Sequence, residues 1–383
     1  METVFPTERF NAAKTPLYYY DTNLLNETLE TVKTNISGYP FHVHYAIKAN
    51  ANPGILKVIQ QSGLGIDCVS GGELKAALNA RFDSRKIVFA GVAKTDKEIQ
   101  AGLDSNILCF NVESLNELEV INEFAGKAGK IANVAIRVNP NIDAHTHKYI
   151  TTGLNENKFG ISLDMLDMVV CKALEFENIN LRGLHFHIGS QLTDLEPYER
   201  LCYRINKLIP HIESLGAKIE IINVGGGLGI DYVNPDENPI TDFESYFNIF
   251  KSKLNVRAGQ QVHFELGRSI VAQCGSLITR VIYVKHGVNK KFVMVDAGMT
   301  DLIRPALYQA HHKIENITSE EPENDKYDVV GPICESSDMF GTDEILPVTR
   351  RGDLIALRSA GAYGEIMASQ YNCRELPGSM FSE

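Results

Sequence analysis

The sequence predicts an α/β chain: a (β/α)8 barrel of the TIM type with a second, C-terminal β domain. Three observations lead there. First, eight strand-like runs fall within a span of about 225 residues, at 43–48, 65–69, 86–89, 107–110, 134–138, 184–187, 219–224 and 262–265. Second, amphipathic stretches at 54–61, 71–80, 94–102, 114–128, 163–174, 195–215 and 243–254 separate them, and such alternation predicts a parallel sheet. Third, the alternation stops near Cys274. Beyond it, 276–285, 291–296, 327–334 and 353–358 read as strands with few helical stretches between, and 315–326 reads as an exposed acidic loop. A doubly wound open sheet competes for the first part, but eight units of this length match the barrel.

Before the barrel, Leu17-Tyr18-Tyr19-Tyr20 is a β-prone run. Asp21 or Thr22 then reads as an N-cap, and Leu24, Leu25, Leu29 and Val32 give helical spacing up to Gly38.

The totals narrow the function. A chain of 383 residues exceeds what one hydrophobic core supports, so two domains are expected. No apolar run is long enough for a membrane span, and the first ten residues lack the apolar core of a signal peptide. Seven cysteines without a C-x-x-C pair argue against a disulfide framework and a structural zinc site, and fit a reducing cytoplasm. The formal net charge of -11 disfavours nucleic acid and anionic membranes as partners. An anionic substrate must therefore be captured by local arginines.

In such a barrel the reactive groups lie at the C-terminal ends of the strands. The unusual residues fall there: Lys48 after the first run, Asp67 on the second, Arg137 on the fifth, His185 and His187 on the sixth, Gly225-Gly226-Gly227-Leu228-Gly229 after the seventh, and Glu265 to Ser269 after the eighth. Taken singly, each has an ordinary explanation. A strand-end lysine is usually solvated, a histidine usually bonds a carbonyl, and a glycine run is often a turn. The glycines match neither the Rossmann nor the Walker A spacing, so a nucleotide is not indicated. The pairs His42/His44, His145/His147 and His185/His187 are nominal metal ligands, but no carboxylate converges on them and no metal is expected.

Together these residues suggest pyridoxal 5'-phosphate. That cofactor needs a lysine amine for its Schiff base, an anion site for its phosphate, and a carboxylate that keeps its pyridine nitrogen protonated. Lys48, the Gly226-Gly227 loop and Glu265 supply those types. His187 is the candidate to pack on the ring, and Asp67 lies on the strand beside Lys48.

The residues also carry a resemblance. Tyr45-Ala46-Ile47-Lys48-Ala49-Asn50, His187-Ile188-Gly189-Ser190-Gln191, Gly225-Gly226-Gly227-Leu228-Gly229, Glu265-Leu266-Gly267-Arg268 and Gly331-Pro332-Ile333-Cys334-Glu335-Ser336-Ser337-Asp338 stand in the order found in the alanine-racemase-like, fold-type III pyridoxal-phosphate decarboxylases. The resemblance runs from about residue 14 to the C-terminus. One departure is Leu266, where many members carry proline. The resemblance implies a barrel over 22–272 and a β domain over 1–21 plus 273–383. It implies Lys48 as covalent anchor, with Asp67, His187, Ser190, Gly226, Gly227, Glu265, Leu266, Gly267, Arg268 and Tyr363 around the cofactor.

It further implies a homodimer with shared active sites and meso-diaminopimelate as substrate, decarboxylated to L-lysine and CO2. Arg268, Arg304, Tyr308, Glu335 and Tyr363 are then the substrate residues. Arginine forks suit the distal carboxylate because they bind it in a bidentate way. Cys334 is the implied proton donor to the α-carbon. Three alternatives stay open: a decarboxylase of ornithine, lysine or arginine, a racemase, and a non-catalytic pyridoxal-phosphate-binding protein.

Overall fold

The eight apolar runs hydrogen-bond in sequence order and close on themselves. In a computed structural model, which describes residues 5–142 and 158–382, the strands Phe41–Ala46, Gly65–Cys68, Ile87–Phe89, Cys109–Val112, Ala132–Arg137, Ile179–His185, Ile221–Asn223 and Gln261–Leu266 form a closed barrel. Neighbouring strands are parallel throughout, and the eighth pairs with the first, His44 opposite Glu265. Several strands are buried at every position, as expected where helices cover a sheet's outer face.

Helix signals in the sequence position the connections. Asn52 accepts from the Gly54 amide ahead of Pro53–Ser62, and Gly63 ends that helix at φ +81°. Ser70 and Ser114 cap the helices Gly71–Asn79 and Leu115–Lys127. Thr95 and Glu98 form a reciprocal capping box at the start of Asp96–Ser105. These caps fix where each strand end hands over to a loop.

Contacts divide the described chain into two compact units. Residues Leu29–Gly229 and Asp242–Gly267 form the barrel unit. The other contains the described residues through Thr28, the segment Ile230–Thr241 and the chain from Arg268 onward.

The second unit is an eight-stranded sheet. Its main path runs Ile314–Asn316, Leu354–Leu357, Gly275–His286, Lys291–Val295, Asn324–Val330, Met339–Pro347. Leu17–Tyr20 pairs antiparallel with the start of Gly275–His286 and parallel with Gly378–Phe381. The N-terminal run is thus a sheet strand, and Phe10, Leu17 and Tyr19 pack with Ile278, Leu354 and Ala356. Two expectations are corrected. The stretch 315–326 begins and ends in strand, because Ile314 and its neighbours pair with Leu354–Leu357. The run expected over 327–334 ends at Val330, so Cys334 lies on a turn beyond the strand.

Candidate active site

Lys48 sits two residues past the first barrel strand, in the 3-10 turn Ile47–Ala49. Its side chain is 39% exposed, and Nζ lies 3.9 Å from Asp67 Oδ2 on the second strand. Asp67 is fully buried, and neither carboxylate oxygen has a hydrogen-bond partner among the described residues. Burial, and then Glu265, push its carboxyl well above the usual range, while Lys48 pulls the other way. A buried acid left with unused acceptors beside an amine is a group waiting for a polar ligand.

Glu265, on the eighth strand, is the opposite case. Its Oε1 accepts from Asn111 Nδ2 at 2.9 Å and Asn223 Nδ2 at 2.7 Å, and its Oε2 faces His185 Nε2 at 3.0 Å. Burial alone would raise its carboxyl, but His185 and Lys48 hold it well below the ordinary range. The fourth, sixth and seventh strands thus each contribute one donor. A carboxylate offers about four acceptor positions, so one remains for a ring nitrogen.

The glycine loop follows the seventh strand. A side chain at Gly226 would collide with the Glu265 carbonyl oxygen, and Gly227 adopts φ +103° against the Gly189 carbonyl. Only glycine lets the loop after the seventh strand approach the eighth strand and the loop after the sixth so closely. The Gly225 amide donates to Asn223 Oδ1 at 2.9 Å and the Gly226 amide to His187 Nδ1 at 3.3 Å. His187 therefore presents a neutral, accepting Nδ1. Burial first, then Lys48 and Arg137, keep the ring well below its ordinary pKa. Ser190 is partly buried on the next turn, where Gln191 takes φ +60°. Leu266 is buried in its strand, and Gly267 backs onto Ala46 and Ala49 beside Lys48. Arg137 is committed to Glu113 at 2.6 Å.

A lysine amine, an acid with unused acceptors, an ionised carboxylate and a close-packed glycine turn at neighbouring strand ends fit pyridoxal phosphate.

The second unit holds a different cluster. Arg268 and Arg304 are both buried. Arg268 Nη1 donates to Tyr232 Oη at 2.6 Å, and its guanidinium lies 4.9 Å from the Tyr363 ring centre. The Arg304 guanidinium lies 5.1 Å from the Tyr232 ring centre. Arg304 Nε is buried without a hydrogen-bond partner, and the groups that act on the guanidinium are Tyr232, Tyr363 and Arg268 rather than a carboxylate among the described residues. Burial, and Arg268 nearby, lower its pKa, while the tyrosines oppose the shift. Tyr308 is partly buried at the end of the short helix Arg304–Tyr308, and Tyr363 takes φ +56°. A guanidinium held this way suits a carboxylate that arrives with the substrate.

Cys334 and Glu335 are exposed on a turn. Buried Asp338 shapes it, accepting from the Ile333 and Met299 amides, each at 2.6 Å.

The structure thus gathers Lys48, Asp67, His187, Glu265 and the glycines in one unit, and Arg268, Arg304, Tyr308 and Tyr363 in the other. Sequence reasoning missed Asn111 and Asn223, whose signal was an asparagine inside a buried strand. It also missed Tyr232 and His312. His185 was noticed only as half of an H-x-H pair. His145 and His147 lie outside the described residues, within the stretch 143–157. Among the described residues no group of three or more His, Cys, Asp or Glu is placed to hold a metal, and no helix is long and apolar enough to cross a membrane.

Comparison with known proteins adds independent findings. A family model described as "Pyridoxal-dependent decarboxylase, pyridoxal binding domain" matches residues 23–272. The chain is 59% identical to a diaminopimelate decarboxylase of Bacteroides thetaiotaomicron over 384 aligned positions, covering 100% of this chain and 99% of that one. The crystal structure of diaminopimelate decarboxylase from Helicobacter pylori complexed with L-lysine superposes with a TM-score of 0.93 at 42% identity, covering 98% of this chain and 94% of that one. An arginine decarboxylase from Paramecium bursaria Chlorella virus reaches a TM-score of 0.87 at 20% identity, with 98% and 99% covered, and shares the fold. Fold likeness alone therefore does not choose the substrate.

Proposed function

The chain belongs to the pyridoxal-dependent decarboxylases, and within them to the diaminopimelate decarboxylases, and from that premise we propose a residue-level account of its reaction. The enzyme is a carboxy-lyase of lysine biosynthesis that converts meso-2,6-diaminopimelate to L-lysine and CO2. When bound, pyridoxal phosphate supplies the electron sink for the pair released as the α-carboxylate leaves.

The chain's own residues do the rest. Lys48 holds the cofactor covalently through Nζ, with Asp67 beside it. Glu265, fixed as a carboxylate by Asn111, Asn223 and His185, keeps a proton on the pyridine nitrogen. His187, a buried neutral imidazole, would pack against the cofactor. Gly226, Gly227, Ser190 and the turn Leu266-Gly267-Arg268 hold the phosphate end, and Tyr363 adds to the cofactor's enclosure. Arg268, Arg304, Tyr308 and Tyr363 take the substrate's carboxylates, and Glu335 takes its distal ammonium. Cys334 holds the proton that replaces CO2 at the α-carbon, so C–C cleavage and C–H formation balance.

One observation carries the choice of substrate. Arg304 is buried, its Nε is unsatisfied and no carboxylate among the described residues acts on it, so it is suited to a second carboxylate that ornithine, lysine and arginine lack. The experiment that tests it is CO2 release from meso-diaminopimelate, lysine, ornithine and arginine in parallel. Release from diaminopimelate alone supports the reading. Preference for one of the others sinks it, and epimerised product without CO2 would make the enzyme a racemase.

A homodimer in which the Cys334-Glu335 turn serves the partner's site completes this reading, supported by the exposure of both residues. A cytoplasmic setting is supported by seven cysteines, all of them free.

A further inference from the structure

We infer that Tyr232 is a positioning residue: it holds Arg268 and Arg304 in place for the substrate's distal carboxylate without itself forming an ion pair with either. The inference rests on the reading that these two arginines take that carboxylate. Tyr232 lies in Ile230–Thr241, a segment that follows the glycine loop in sequence yet belongs to the second unit. Arg268 binds its hydroxyl at 2.6 Å, and Arg304 lies 5.1 Å from its ring centre. His312, fully buried, packs edge-on against the same ring at 5.1 Å. The segment is itself fastened four residues on. Asp236 accepts from Arg358 Nη2 at 2.9 Å and from Lys313 Nζ at 2.8 Å.

Two buried guanidiniums near one another repel, and something must hold them. A carboxylate there would do so by forming a closed ion pair, which an incoming substrate would have to displace. A phenol is different. Its oxygen accepts hydrogen bonds and its ring face attracts cations, with no net charge of its own to close an ion pair with either arginine. Tyr232 thus orients both cations without itself neutralising either, and that favours a carboxylate ligand.

The test uses the holoenzyme with two substitutions. Tyr232→Phe keeps the ring and removes the acceptor; Tyr232→Leu removes both. For Tyr232→Phe the KM for meso-diaminopimelate should rise ~10-fold with kcat within about threefold, since one charge-assisted hydrogen bond is lost. The Kd of pimelate, a dicarboxylate of the same length without amino groups, should rise by a similar factor in calorimetry. The cofactor's absorbance and the thermal midpoint should stay near wild type. Tyr232→Leu should lose more in both affinities.

Wild-type KM and pimelate Kd in Tyr232→Phe, or a loss confined to kcat, would overturn the inference. Should Tyr232→Leu fail to fold, the phenylalanine variant decides alone. Arg304→Ala separates the two levels. If it leaves KM and pimelate binding unchanged, the substrate reading itself fails. If it loses both while Tyr232→Phe loses neither, only the role of Tyr232 fails.

Discussion

His185 Nε2 lies 3.0 Å from Glu265 Oε2, and this contact joins the ends of the sixth and eighth barrel strands. With Asn111 and Asn223 on the other oxygen, it makes Glu265 a carboxylate by construction. Glu265→Gln should therefore lower kcat by ~10²-fold or more, because a neutral amide cannot favour a protonated pyridine nitrogen. Asn111→Ala, which leaves two donors, should cost about tenfold. Steady-state kinetics on both variants check this, and near-wild-type kcat in Glu265→Gln would remove Glu265 from the chemistry.

Arg304→Ala should reduce kcat/KM for meso-diaminopimelate by ~10²-fold, the scale of a lost charge-assisted pair in a buried site. Arg304→Lys should recover part of that, since a point charge replaces the fork. Equal turnover by Arg304→Ala and wild type would contradict the substrate assignment.

A buried histidine pair sets a pH limit on stability. His44 Nδ1 faces the Lys86 carbonyl at 3.0 Å and so carries the proton; its Nε2 then accepts from His263 Nδ1 at 2.7 Å. Burial holds the His44 pKa down at about 4, although Glu265 and the carbonyl pull it upward. Between pH 6.5 and about 4 the unfolded chain binds a proton that the native one refuses. Stability thus falls as pH falls across that window, by up to about 1.4 kcal/mol per pH unit from this group. Denaturant unfolding of wild type and His44→Gln at several pH values reads the difference. Identical pH slopes would show that His44 titrates normally.

Subunit sharing can be tested by mixing. Lys48→Ala and Cys334→Ala should each be nearly inactive, and their co-refolded mixture should regain about a quarter of wild-type activity, because half the dimers are mixed and each has one intact site. No recovery at all would mean that each subunit carries its own complete site.

Much of this was legible in the sequence. All eight barrel strands were visible, because strands buried on both faces read as apolar runs and their helices carry distinct caps. Lys48, Glu265 and the glycine loop stood out as residue types that such strand ends rarely need. The partners of Glu265 did not. Asn111 and Asn223 lie in different strands, 112 residues apart by their numbers, and only barrel closure brings their amides to one oxygen. Tyr232 was hidden for a similar reason: its segment is continuous with barrel sequence but packs in the second unit. The strands Met339–Pro347 and Gly378–Phe381 escaped notice because they are largely exposed or half-buried, so no regular alternation marks them.

Lys48, two residues past the first strand and 3.9 Å from a buried acid, is the proposed anchor of the cofactor. The direct measurement is borohydride reduction of the holoenzyme followed by peptide mass spectrometry. The expected result is loss of the visible absorbance band, a reduced pyridoxyl-phosphate adduct on the peptide containing Lys48, and no adduct in Lys48→Ala. An adduct on a different lysine, or a fully active enzyme that carries none, would contradict it.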